Sequence, residues 1–306
     1  MNDIEYQNPF KNIERIHCTA EEYRAIEAYS GSDIRTLYAD RMNPYGVWKR
    51  RQEEYGESEA MLLGSVLDCM VTEPQTFDDR YIVEPEFDNY PTTDKQHAFV
   101  NDILAGHDAM QAHAMHYSNS SSKAAMALLR DMKPYIEYQL SLSNSMRKSV
   151  PSRIMARAKA MHNALSRHRV FPDIAYESEK QAVFVGEAFG VRWKGMIDFL
   201  YKTGGTFTKG IDLKTTEDWS GIRTNFFRRG YNFQGRIYSW LAGVDSFANM
   251  YAESIDPYRT KLVETTRYVE ECSGTVIDLM VRLAHADKTG DWKHTMEYSE
   301  DGYENL

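Results

Sequence analysis

Nowhere in the 306 residues is there a run of about 18 apolar residues, so no membrane-spanning helix is expected. The opening stretch MNDIEYQNPFKNIER has no apolar segment followed by a small-residue cleavage site. No signal peptide is therefore expected, and the expected location is cytoplasmic. Cysteine is scarce: Cys18, Cys69 and Cys272 are odd in number and far apart, which excludes a disulfide framework. Three thiols also cannot supply the four ligands of an iron–sulfur cluster or an all-cysteine zinc site. Glycine (18) and proline (9) are too few for a collagen-like chain, and 42% hydrophobic residues are too many for a disordered one. The 45 acidic residues outnumber the 36 basic ones, giving a net charge of −9. Average charge alone thus argues against non-specific binding to nucleic acid.

Acidic residues are absent from Tyr138 to Pro172, a stretch that holds Arg147, Lys148, Arg153, Arg157, Lys159, Arg167 and Arg169. From Asp245 onward, 13 acidic residues face 6 basic ones. A basic segment inside an acidic chain is either a phosphate-binding surface or a solvated helix face whose charges share a sign. Histidines 107, 113 and 116 have spacings that put at most two on one helical face. They are read as surface or hydrogen-bonded histidines rather than a metal cluster.

The first 175 residues read as mostly helical. Thr19 with Glu22 forms a capping-box pattern ahead of a helix over 19–29, and Ser32-Asp33 opens a second helix that stops near Asn43-Pro44. A third helix over 58–72 carries Leu62, Val66 and Met70 on one face and ends at Glu73-Pro74. The stretch 75–95 reads as loop around Tyr81-Ile82-Val83, and 95–116 and 120–131 as helices. After Pro151, residues Ile154, Ala158, Met161 and Leu165 recur at helical spacing.

The texture changes near Tyr176. Ala182–Val185 and Val191–Tyr201 are β-rich, with a turn expected at Gly186-Glu187 and another at Thr203-Gly204-Gly205. Thr208–Lys214 is a third strand, a helix follows over 225–242, Phe247–Ile255 is a fourth strand, and 263–287 is a final helix. The expected fold class is α/β (α+β): a central mixed β-sheet flanked by helices, with a helical N-terminal elaboration. The chain is read as one domain, 1–306, comprising helical 1–175, a β core over 176–262, and a C-terminal helix and tail over 263–306.

Three features fall on this core in order. Asp198 sits near the end of the second strand in Gly195-Met196-Ile197-Asp198. Asp212 and Lys214 form an Asp-x-Lys on the third strand, where alternation points both to one side. Gln234 and Tyr238 share a face of the next helix at i, i+4. Two carboxylates on adjacent strands suit a hard, oxygen-preferring cation such as Mg²⁺, and a lysine beside them suits work on an attacking water and on developing negative charge. Each feature alone has a bland reading as a salt bridge, a turn residue or sheet packing. Their order and placement together point to phosphodiester cleavage.

At these residues the chain resembles the PD-(D/E)XK nuclease superfamily. More narrowly, it resembles the exodeoxyribonuclease VIII (RecE-type) catalytic domain of phage and prophage recombination systems. The similarity extends to Ser30–Leu37, Asn43–Trp48, Leu63–Pro74, Asp212–Asp218, Asn249–Tyr258 and Lys288–Trp292, about residues 25–295 in all. The resemblance implies a restriction-endonuclease-like core in which Asp198 and Asp212 are metal ligands, with the Leu213 carbonyl as a further one. Lys214 would be the catalytic lysine, with Gln234 and Tyr238 supporting the site and the DNA. Glu179 would be a further acidic residue of the site, with Glu177 competing for the role. Asp68 occupies the position where the family usually has histidine. As a harder ligand it suits Mg²⁺ or Mn²⁺ with altered metal preference, or else marks a drifted site.

The resemblance also promotes Arg153, Arg157, Arg167, Arg228 and Arg229 as DNA contacts. It implies a metal-dependent exonuclease on linear double-stranded DNA, acting 5′ to 3′ and leaving 5′-phosphates. A ring-like homo-oligomer, a single-strand annealing protein as partner, and a bacterial or phage-infected host cell are implied as well. The rival expectations are another nuclease of the superfamily, Cas4-like or structure-specific, and a catalytically degenerate DNA-binding or phage regulatory protein.

Overall fold

In a computed structural model, which describes residues 7–53, 56–143 and 145–293, the first element among the described residues is a strand, β1 (Lys11–Ile16), to which the sequence reading assigned no element. All but its last residue are exposed, so it carries no apolar alternation from which a strand could be read. Helix α1 (Ala20–Ala25) starts where the Thr19/Glu22 capping box places it. The two-residue β2 (Tyr29–Ser30) leads into α2 (Gly31–Ala39), whose own capping box joins Ser30 and Asp33. Pro44 does not merely end a helix: it begins α3 (Pro44–Gln52), with Asn43 as N-cap. Ser58 caps α4 (Glu59–Thr72).

Next come the single-turn α5 (Phe77–Arg80), β3 (Tyr81–Val83), α6 (Asp94–Leu104), α7 (Ala109–His116), α8 (Ser122–Ser143) and β4 (Lys148–Val150). Helix α8 runs through Pro134, well past the expected end at 131. Helix α9 (Ser152–Ser166) buries Ile154, Ala158, Met161 and Leu165, the face its spacing predicts. After α10 (Phe171–Glu177) come three long strands, β5 (Ser178–Ala188), β6 (Val191–Thr203) and β7 (Thr206–Thr216). The first turn lies at Phe189-Gly190, both at positive φ, and not at Gly186-Glu187, which stay in the ladder.

The helix expected over 225–242 is two helices, α11 (Ile222–Arg228) and α12 (Tyr231–Ala242). They are separated at Gly230, whose φ of 63° lies in the left-handed region that glycine enters at no steric cost. Strand β8 (Ser246–Glu253) follows. The last expected helix is divided: residues 260–264 form β9 (Thr260–Glu264), then α13 (Thr266–Glu271) and α14 (Ser273–Thr289) meet at Cys272. Of the tail, residues 294–306 lie outside the described residues.

The described residues cluster into two compact units, one from the stretches up to 74 and from 157 onward, the other from 75–156. The second contains the parallel pair β3–β4 and a core of Phe99, Val100, Ala112, Ala125, Met132 and Ile136. There His113 stacks on Tyr117 and His116 bonds Asp102 at 2.6 Å, so both histidines are satisfied by protein partners.

The first unit holds a seven-stranded mixed sheet in the order β1-β5-β6-β7-β8-β9, with β2 added beside β6. Strands β7 and β8 are parallel, joined by a crossover through α11 and α12; parallel neighbours require such a crossover. Helices α2, α12 and α14 bury Ile34, Leu37, Ile237, Leu279 and Leu283 with Trp193 and Ile197 of the sheet. Strand β6 pairs with β2 at Trp193 and Lys194 and with β7 only from Phe199 onward. Between those pairings, the residues ending at Asp198 face a split in the sheet. All three cysteines are free thiols, as expected. Among the described residues, no helix is long and apolar enough to cross a membrane.

Candidate active site

The split in the sheet is where the polar residues converge. Asp198 accepts a 2.6 Å hydrogen bond from the Leu213 N–H, so its carboxylate takes the donor that β7 would otherwise offer a neighbouring strand. On β7, Asp212 and Lys214 face the same way and form a buried ion pair that is ionic rather than a well-directed hydrogen bond. Lys214 Nζ also donates to Gln234 Oε1 at 3.1 Å, and Gln234 Nε2 donates to the Tyr238 hydroxyl at 2.9 Å. Gln234 and Tyr238 are buried one turn apart on α12. Gly31 eases this approach: a Cβ there would lie 3.0 Å from Gln234 Cα and Cγ, so a side chain would press on the glutamine.

Asp68 lines the same cavity from α4. Its Oδ2 accepts a 2.8 Å hydrogen bond from Gln181 Nε2, and Gln181 also bonds Thr72. Gln181 has positive φ (49°), an irregularity in β5 next to the ladder position of Asp198. Burial pushes the Asp198 carboxyl well above the ordinary carboxylate range, Asp212 and then Asp68 add like-charge repulsion, and Lys214 opposes them.

The whole set opens into a cavity of about 1310 Å³ that also includes Arg24, Arg50, Arg51, Arg192, Lys194 and Arg229. Lys194 Nζ donates to the carbonyls of Tyr23, Arg24 and Ile26 at 2.9, 3.1 and 2.8 Å, closing the end of α1.

The other candidates fall elsewhere. Glu179 pairs with Arg15 of β1 and does not line the cavity; Glu177 hydrogen-bonds Tyr201. The β5 residue that reaches Asp68 is instead Gln181, whose backbone has positive φ while the β5–β6 register continues unshifted on either side. Arg157 is committed to the Ser254 carbonyl at 2.9 Å and to Glu217 at 2.8 Å. Arg228 bonds Asn225 at 2.6 Å, Arg167 is exposed after α9, and neither lines the cavity. Arg153 belongs to the second unit. Only Arg229 of the five arginines is at the cavity.

Sequence reading missed Arg35 and Tyr231. Arg35 donates to the Arg229 carbonyl at 2.6 Å and reaches Gln234 Oε1 at 3.4 Å. The Tyr231 ring has Lys214 Nζ 4.6 Å and the Arg35 guanidinium 4.7 Å from its centroid. Neither position has a local signal in sequence; only the α2–α12 packing joins them.

A divalent ion fits the donor set. Among the described residues no group of three or more His, Cys, Asp or Glu is arranged to hold a metal, so the site is no closed cage. It offers a buried carboxylate, Asp212, and a half-buried one, Asp198, an all-oxygen set, against one adjacent ammonium. That matches the way Mg²⁺ is held, by one or two carboxylates with waters and substrate oxygens completing the shell. Such an ion would also relieve the carboxylate repulsion.

A sequence profile described as a PDDEXK-like domain of unknown function (DUF3799) matches residues 45–246. The crystal structure of an exonuclease candidate from Eubacterium rectale superposes with a TM-score of 0.55 at 17% identity, covering 90% of this chain and 88% of that one. An alkaline exonuclease from Laribacter hongkongensis aligns over 63% of this chain and 97% of its own at 12% identity, with a TM-score of only 0.28. Comparison with curated proteins gave no match. The expected fold, a PD-(D/E)XK-like mixed sheet flanked by helices, is the fold observed.

Proposed function

This chain belongs to the PDDEXK-like family DUF3799, and from that premise we propose that it is a divalent-metal-dependent deoxyribonuclease of the RecE type, degrading linear double-stranded DNA from its ends. One observation carries the reading: Asp198, Asp212, Lys214 and Gln234, drawn from two strands and a helix, meet in one cavity with basic residues around it.

Asp198 and Asp212 would hold the ion, which would supply Lewis-acid polarisation of the scissile phosphate and lower the pKa of a water. The other roles belong to the chain. Lys214, aimed by Gln234, orients the attacking water and offsets charge on the phosphorane-like transition state. Gln234 is itself fixed by Tyr238, so a two-step hydrogen-bond chain sets the lysine's direction. Arg229 and the basic cavity wall neutralise the incoming phosphates. A new bond from water oxygen to phosphorus forms as the bond to the 3′-oxygen breaks. The 3′-oxygen leaves with a proton, and the product carries a 5′-phosphate.

The proposal extends to Mg²⁺ or Mn²⁺ as the ion, 5′ to 3′ polarity, a ring-like homo-oligomer around DNA, and a single-strand annealing protein as partner in phage-type recombination. Its test compares linear, nicked and covalently closed circular duplex. Degradation confined to linear DNA, with a 5′ label released first, supports the proposal. Equal attack on circles, or cleavage only of flaps and single strands, points to a different nuclease of the superfamily.

A further inference from the structure

A second cavity, of about 520 Å³, is lined by Tyr45 and Trp48 of α3 and by the segment Gly290–Lys293 after α14. The Tyr45 and Trp48 rings stack with centroids 5.5 Å apart and planes 23° from parallel. Lys293 Nζ is 5.6 Å from the Tyr45 ring. Trp292 completes the lining and packs its other side on the main core. Both α3 aromatics are half-buried. The next turn of the same helix carries the exposed Lys49, Arg50 and Arg51, and Arg50 and Arg51 line the cavity that holds Asp198 and Asp212. One helix therefore presents cations to the carboxylate site and flat aromatic faces a turn, about 5 Å, away.

We propose that Tyr45, Trp48 and Trp292 form a stacking platform for the unpaired bases of a DNA strand whose phosphates run along Lys49, Arg50 and Lys293 toward the site. This rests on the nuclease reading and deepens it: the enzyme takes a duplex whose end is open, because paired bases in the stack offer no face to these rings. A strand brings both phosphates for the exposed Arg50 and Arg51 and for Lys293, and π-faces for the rings, while Asp291 in the lining and the pairing of Lys49 with Glu53 oppose it in part.

The test reads binding, not cleavage. Wild-type protein in excess chelator is titrated with a single-stranded oligothymidylate and with an abasic strand of equal phosphate number, while tryptophan emission is followed. The base-bearing strand is expected to quench emission and bind about 5-fold or more tightly than the abasic one, as base–aromatic stacking predicts. Trp48→Leu and Tyr45→Ala should erase that difference while leaving affinity for the abasic strand unchanged. Equal binding of the two strands by wild type overturns the platform without the need for any variant. So does equal binding accompanied by self-association that Trp48→Leu abolishes, since the occupant is then a second copy. Base-dependent binding by a protein that cleaves no DNA with any metal would sink the nuclease reading and leave the platform standing.

Discussion

Asp198 Oδ2 lies 2.6 Å from the Leu213 nitrogen and accepts its proton, so one carboxylate both replaces a missing ladder partner and faces Asp212. The two duties separate by substitution. Asp198→Asn keeps an oxygen for Leu213 and removes a buried charge that Asp212 and Asp68 repel. Its melting temperature should equal or exceed that of wild type, while DNA cleavage falls about 100-fold or more. Asp198→Ala leaves the Leu213 N–H unsatisfied and should lose about 1–3 kcal/mol of stability. Thermal melts beside a cleavage assay check both.

Among the described residues Gln234 joins Lys214 to Tyr238, so its removal should act through the lysine's direction. Gln234→Ala should lower kcat about 10-fold or more with little change in KM, since the basic wall that collects DNA is untouched. A rise in KM at constant kcat would instead make Gln234 a DNA contact.

Two buried tyrosines near the site should respond oppositely to loss of the hydroxyl. Tyr238 accepts from Gln234, whereas the Tyr251 hydroxyl, on the strand residue paired with Lys214, is buried with no hydrogen-bond partner among the described residues. Tyr238→Phe should cost about 1 kcal/mol and reduce cleavage. Tyr251→Phe should be neutral or stabilising by about 1 kcal/mol. Denaturant unfolding of the pair decides.

Glu253, buried at the end of β8, is hydrogen-bonded by Arg259, which holds its carboxyl below the usual range. A depressed folded value means that this stability is present above the unfolded glutamate pKa and lost as pH falls through the folded one. Arg259→Ala should therefore melt lower than wild type at neutral pH, and the two curves should converge as the pH drops below about 4.

Some of this was readable in the sequence because it is local. The Thr19 capping residue, the Ile154–Leu165 stripe and the Asp-x-Lys alternation follow from short-range rules, and each element is where those rules put it. Strand β1 was hidden because an almost wholly exposed edge strand has no apolar period. The break at Gly230 was hidden because a glycine within an apolar helical pattern reads as tolerated until its φ is known. At the site, Asp198, Asp212, Lys214, Gln234 and Tyr238 come together as their order implies. Glu179 and most of the arginines do not: Glu179 is taken by Arg15 and Arg157 by Glu217, and the positive φ of Gln181 that accompanies its contact with Asp68 has no sequence signal. Arg35 and Tyr231 needed the packing of α2 on α12.

The central claim is tested most directly by digesting end-labelled linear duplex with Mg²⁺, with Mn²⁺ or with chelator, using wild type, Asp212→Ala and Lys214→Ala in parallel. Metal-dependent release of label by wild type, abolished by chelator and by either substitution while both variants remain folded, is the predicted result. Degradation that survives in Asp212→Ala and Lys214→Ala, or a wild-type protein inert with both metals on every DNA form, would contradict it.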